Sequence, residues 1–92
     1  MLGQRIYELR TAFGWSQVEL AKRLGVAKQT ASNWENDNIQ PSIEMLVRLA
    51  KLFNVTTDYL LGLEEEPRIS VSGLPEAMVA HLSQLIEDYR QK

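Results

Sequence analysis

Between Lys28 and Asn36 the chain carries Lys28, Gln29, Ser32, Asn33 and Asn36 at intervals that put them largely on one side of a helix, with no carboxylate among them before Glu35. The chemistry open to such a face is hydrogen bonding. An Asn or Gln amide matches the edge that adenine shows in the DNA major groove, while a Lys ammonium reaches guanine acceptors or a phosphate. An ordinary wet helix mixes acids with bases, and this one does not. Covalent and metal chemistry find no comparable set. His81 is the only histidine and there is no cysteine. Ser16 and Ser42 stand where helix caps belong, and the consecutive Glu64, Glu65 and Glu66 cannot all converge on one ion. Neither an enzyme nor a metal or cofactor site is expected.

Stepping outward from that face, the chain must supply the elements that hold it. Ser16 is an N-cap, Glu19 three residues later can reach back to its backbone N–H, and Trp15 and Leu20 have the spacing of a hydrophobic staple. Val18, Leu20, Ala21 and Leu24 then recur at helical spacing. Gly25 is free to take the left-handed conformation that ends a helix. The pattern resumes after Val26 with Thr30, Ala31 and Trp34 on the packing side, so the turn is short enough for two crossing helices. Small Ala21 and Ala31 let the two axes approach.

The segment WSQVELAKRLGVAKQTASNWEN, together with PSIEMLVRLAKLFNVTTDYLLG from 41 to 62, resembles the lambda-repressor-like (XRE or Cro type) helix-turn-helix regulators over about residues 2 to 62. The resemblance implies an all-α fold with a five-helix DNA-binding domain over 1–62; beyond it, the sequence itself reads as a linker over 63–74 and a C-terminal amphipathic dimerisation helix over 75–92. The resemblance also implies that Lys28, Gln29 and Asn33 read bases and that Gln17, Lys22, Arg23, Ser32 and Asn36 hold the DNA backbone, with Gln17 also bracing the start of the recognition helix. Arg10 and Glu35 fall where some members place an internal salt bridge. Trp34 matches a buried apolar position. Ala27 departs from the family's Ser or Thr cap, which removes a bond worth about 1 kcal/mol. Asp37 and Asn38 replace a common Gly after Asn36, leaving Asn38 to supply a positive φ.

The flanking helices read as follows. Helix 1 is expected from Leu2 to Phe13, with Leu2, Ile6, Leu9 and Phe13 on one stripe and Gly14 as its stop. Arg5 is either a minor phosphate contact or an ordinary exposed arginine. Ser42 caps a fourth helix with Ile43, Leu46, Leu49, Ala50 and Phe53 inward, ending near Asn54. Thr56 caps a fifth, stapled by Val55 and Leu60, with Tyr59, Leu60 and Leu61 closing over the core before Gly62. Residues 68–72 form either linker or one short strand, which would pair with its copy in a second subunit.

The last helix begins with Pro75 at its first position. Val79, Leu82, Ile86 and Tyr89 form a seam widened by Met78 and Leu85. Two heptads cannot sustain an isolated coiled coil, so the stripe packs either on its own domain or on a partner; because the five-helix fold of the resembling family is complete by Gly62, these six residues are expected to form a homodimer interface. Charge is divided accordingly. Residues 1–36 carry Arg5, Arg10, Lys22, Arg23 and Lys28 against Glu8, Glu19 and Glu35, and residues 63–92 carry six carboxylates against Arg68, Arg90 and Lys92. Ninety-two residues suffice for one core. No apolar run reaches the roughly 18 residues of a membrane span, and MLGQRIYELR lacks a signal-peptide core. The expectation is a cytoplasmic regulator, a repressor acting as a homodimer on palindromic double-stranded DNA. An alternative is an antitoxin whose tail wraps a toxin protein. A further one is a DNA-specificity domain serving a separate catalytic chain.

Overall fold

Helical periodicity and capping divide the chain into α1 (Leu2–Ala12), α2 (Gln17–Leu24), α3 (Lys28–Glu35), α4 (Ile43–Phe53), α5 (Thr57–Leu60) and α6 (Glu76–Arg90). The computed structural model describes residues 1–91, and among them there is no strand, so the fold is all-α. Lys92, the end of the expected last segment, lies outside the described residues.

Three of the helices start on a side-chain cap. The Ser16 hydroxyl accepts from the Glu19 N–H at 3.1 Å, Ser42 from Met45 at 3.2 Å, and Thr56 from Tyr59 at 3.0 Å. Each satisfies one backbone donor that a helix start leaves open. The reciprocal half of the expected box at Ser16 does not form: the Glu19 carboxylate turns along α2 and stands 3.7 Å from Arg23 Nε. Gly25 and Asn54 end α2 and α4 in the left-handed conformation. Recognition-helix candidate α3 starts at Ala27 without a side-chain cap, as its sequence implies.

The core is where α1 to α5 meet. Ile6, Leu20, Leu49, Phe53 and Leu60 are fully buried, with Ala21, Leu24, Ala31, Trp34 and Ala50 beside them. Trp34 is therefore a packing residue. Leu2, Leu9, Trp15, Leu46 and Val55 pack around this cluster. Arg5 lies over the Tyr59 ring at 3.9 Å, tying α1 to α5.

Several boundary expectations are corrected. Helix α1 stops at Ala12, and Phe13 is half exposed, its ring held against Trp15 and Phe53 at 4.8 and 5.4 Å. Ile43 is 81% exposed and does not join the α4 stripe, whereas Met45 and Leu46 of the same turn pack against the core. Leu61 follows the end of α5 and stays half exposed, while Leu60 is buried and Tyr59 partly so. Pro75 is the N-cap of α6, with an extended ψ of 154°, and Glu76 is the first helical residue. Residues 68–72 form no strand in the protomer. The Asn54 side chain bonds both the Ser70 N–H and C=O, at 3.3 and 3.2 Å, which ties this segment to the end of α4.

No residue of α6 is buried. The Cα radius of gyration of 14.7 Å exceeds the ~12 Å typical of a compact domain of this length. A helix standing off the five-helix body accounts for the excess.

The positive φ after α3 falls on Asp37, at 58°, and not on Asn38. The reason is tertiary: its carboxylate caps α1, accepting from the Gly3 N–H at 3.0 Å and lying 3.7 Å from the N-terminal ammonium. An acid is stabilised at a helix N-terminus. Gly3 is required by the same approach, since a Cβ there would sit 2.5 Å from the Trp34 carbonyl and 2.6 Å from that of Glu35. Gly3→Ala is expected to lower unfolding stability by about 1–3 kcal/mol, read as a lower urea midpoint at unchanged m-value.

Candidate nucleic-acid interface

At ~100° per residue, Ala31 and Trp34 on α3 lie opposite Gln29, Asn33 and Asn36. Ala31 and Trp34 are buried, while Lys28, Gln29 and Asn36 are exposed and Ser32 and Asn33 partly so. One side of the helix is anchored in the core and the other is turned to solvent. The hydrogen bonds on the outward side run between its own members: Gln29 Nε2 donates to Asn33 Oδ1 at 3.0 Å, and Asn36 Nδ2 donates to Ser32 Oγ at 3.4 Å. Both are pairs four residues apart, the spacing at which helix side chains meet.

The end of α3 is fixed by a buried ion pair. Arg10 of α1 is bidentate to Glu35, with Nε to Oε2 at 2.6 Å and Nη2 to Oε1 at 3.1 Å, and its Nη1 donates to the Trp15 carbonyl at 2.7 Å. The Glu35 side chain is only 4% exposed and that of Arg10 only 11%. Hydrogen bonding to Glu35 raises the Arg10 pKa above its ordinary value against the opposing effect of burial. A carboxylate at a helix C-terminus is unfavourable on its own, and the guanidinium offsets it.

Gln17 joins the same carboxylate, its Nε2 donating to Glu35 Oε1 at 3.1 Å. It thus braces the end of α3 and not its start. The first turn of α2 is locked to the last turn of α3 by a bond that leaves the Gln17 carbonyl available outward.

The remaining cations separate into two places. Lys22 is exposed on α2. Arg23 is drawn away from α3: its guanidinium lies 4.1 Å over the Trp15 ring and beside Glu19, at the rim of a recess of about 330 Å³ shared with Leu24, Arg48, Lys51 and Leu52. Arg23 is not brought together with Lys28, Gln29 and Asn33. On α6, Val79 and Leu82 are half-buried and Met78, Leu85, Ile86 and Tyr89 are exposed. Leu85, Ile86, Tyr89 and Arg90 line an open apolar recess of about 440 Å³. Sequence reading missed the Asp37 cap and the two side-chain pairs of the outward face. The spacing of four was visible, but which amide would bond which was not.

Among the described residues no group of three or more His, Cys, Asp or Glu could hold a metal ion, and no helix is long and apolar enough to cross a membrane.

The family described as Helix-turn-helix matches residues 6–60. The chain is 34% identical over 87 residues to the HTH-type transcriptional regulator ImmR of Bacillus subtilis, which covers 95% of this chain and 68% of that protein. Among solved structures it is similar to the P22 c2 repressor in complex with a synthetic operator, with TM-score 0.63 and 33% identity over 65% of this chain and 91% of that one. It is also similar to the biofilm regulator SinR in complex with DNA, with TM-score 0.61 and 39% identity over 66% of this chain and 98% of that one.

Removing one member of the Arg10–Glu35 pair strands a buried charge. Arg10→Ala is expected to destabilise by about 3–5 kcal/mol, whereas Arg10→Met with Glu35→Leu recovers most of the loss. Urea unfolding of the three variants tests this.

Proposed function

Because this chain belongs to the helix-turn-helix family of lambda-repressor-like DNA-binding transcriptional regulators, we propose that it is a repressor acting as a homodimer on a palindromic operator. The observation that carries the DNA-reading part is the outward side of α3. It holds Lys28, Gln29, Ser32, Asn33 and Asn36, contains no carboxylate, and is buttressed from behind by Trp34 and Glu35. In this reading Lys28, Gln29 and Asn33 face base edges, and Ser32, Asn36, Gln17 and Lys22 face the backbone. Arg23 contributes to the backbone only after leaving Trp15. Repression is supported by the likeness to a repressor seen on its operator.

The dimer is supported by α6, fifteen residues long and without a fully buried residue, on which Met78, Leu85 and Ile86 are exposed. A two-fold arrangement sets two copies of α3 about 34 Å apart, one turn of the duplex. The antitoxin alternative expects a tail that is poorly helical on its own, and the helical α6 favours the homodimer. No membrane partner or cofactor enters, and the cytoplasm is the compartment that fits.

Selection of bound sequences from random DNA should return a palindrome with half-sites about 10 base pairs apart. Leu82→Asp should convert a dimer to a monomer in light scattering and weaken operator binding, with the domain's melting unchanged. Lys22→Ala should reduce the slope of log K against log salt by about one. A single non-repeated site bound by one subunit overturns the homodimer reading, and an unchanged slope removes Lys22 from the backbone contacts.

A further inference from the structure

The DNA-reading assignment names Gln29 and Asn33 separately, but the geometry joins them. Their Cα atoms are four residues apart, a rise of ~6 Å along the helix axis. Two side chains leaving in parallel at that separation would reach different groups on the duplex. Instead the two amide tips meet, Gln29 Nε2 to Asn33 Oδ1 at 3.0 Å. This bond takes one amino hydrogen and one carbonyl lone pair. It leaves the Gln29 carbonyl and the Asn33 amino group, one acceptor and one donor, out of the bond that joins the two side chains. Turning both amides over exchanges which residue supplies which group and leaves the same two.

We propose that Gln29 and Asn33 act as one composite reader of a single A·T base pair in each half-site. Adenine offers an amino donor and the N7 acceptor on one edge, which a carbonyl and an amino group together complete. Guanine offers two acceptors, and its O6 would face the free carbonyl. The neighbouring Asn36–Ser32 bond, at 3.4 Å, lies on the same face of α3. Because the two amides already restrain each other, less side-chain freedom is lost when they meet the base than for two independent residues.

This inference rests on the DNA-reading assignment, and its test separates the two. Sequences are selected from random DNA by the full chain, by Gln29→Ala and by Asn33→Ala, all checked for unchanged melting. The expected result is that the wild type selects adenine at one position per half-site and that both variants lose that same preference. Replacing that adenine with 7-deazaadenine should weaken wild-type binding about tenfold and leave both variants unaffected. The double variant should bind no more weakly than the poorer single one. Loss of preference at two different positions, or additive losses, overturns the composite reader while leaving DNA reading intact. Failure of the wild type to enrich any sequence overturns both.

Discussion

The structure depends on the buried contact between Arg10 and Glu35, because it is where three helices are held at fixed angles. One guanidinium spans the Glu35 carboxylate and the Trp15 carbonyl, so α1, the α1–α2 connection and the end of α3 share one rigid fork. A buried ion pair contributes little net stability against a well-packed apolar substitute. What it supplies is direction. Five donors in a planar array accept only a narrow range of partner positions, so α3 cannot rotate about its axis without breaking the bidentate geometry. Rotation is the motion that would carry Gln29 and Asn33 off the outward side. Gln17 extends the same constraint to α2, and Trp34 fills the space beneath.

The beginning of α1 completes the frame from the other direction. Gly3 lets the α1 backbone press against the Trp34 and Glu35 carbonyls, and Asp37 caps the helix that approaches. The last turn of α3 is therefore held by a charge pair on one side and by close backbone packing on the other. A helix of eight residues without a side-chain cap at its start is marginal by itself. Its order comes from these two attachments at its end and from the apolar side it buries.

These relations explain what was legible in the sequence. Ser16, Gly25, Ser42, Asn54 and Thr56 act on backbone groups within a few residues, so residue type and spacing suffice to place them. The outward residues of α3 were also legible, because a helix whose apolar side is known has only one other side. Asp37 was missed since its positive φ is stabilised by a partner 34 positions away. Ile43 was placed inward because its helical phase is right, yet phase says nothing about where the neighbouring helices stop. The Glu19 side chain had two local options, its own cap and Arg23, and local spacing does not choose between them. Residues 68–72 read equally as linker or short strand, and the tie between Ser70 and Asn54, sixteen positions apart, was not visible in local spacing.

The placement of charge bears on how such a surface must work. Of the cations in the first 36 residues, Arg10 is buried, Arg5 lies on Tyr59 and Arg23 lies on Trp15. Lys22 and Lys28 remain exposed near the outward face. Phosphate neutralisation by one protomer is then small, and it is this term that holds any sequence of DNA alike. A domain built this way gains little from indiscriminate contact, so a larger share of its affinity must come from hydrogen bonds that distinguish bases. Such bonds tolerate little misalignment, which is why a rigid fork at Arg10 and Glu35 matters more here than in a strongly basic domain. In the proposed homodimer, two weakly charged domains would gain affinity without added positive charge, and the amphipathic α6 is a suitable means of joining them.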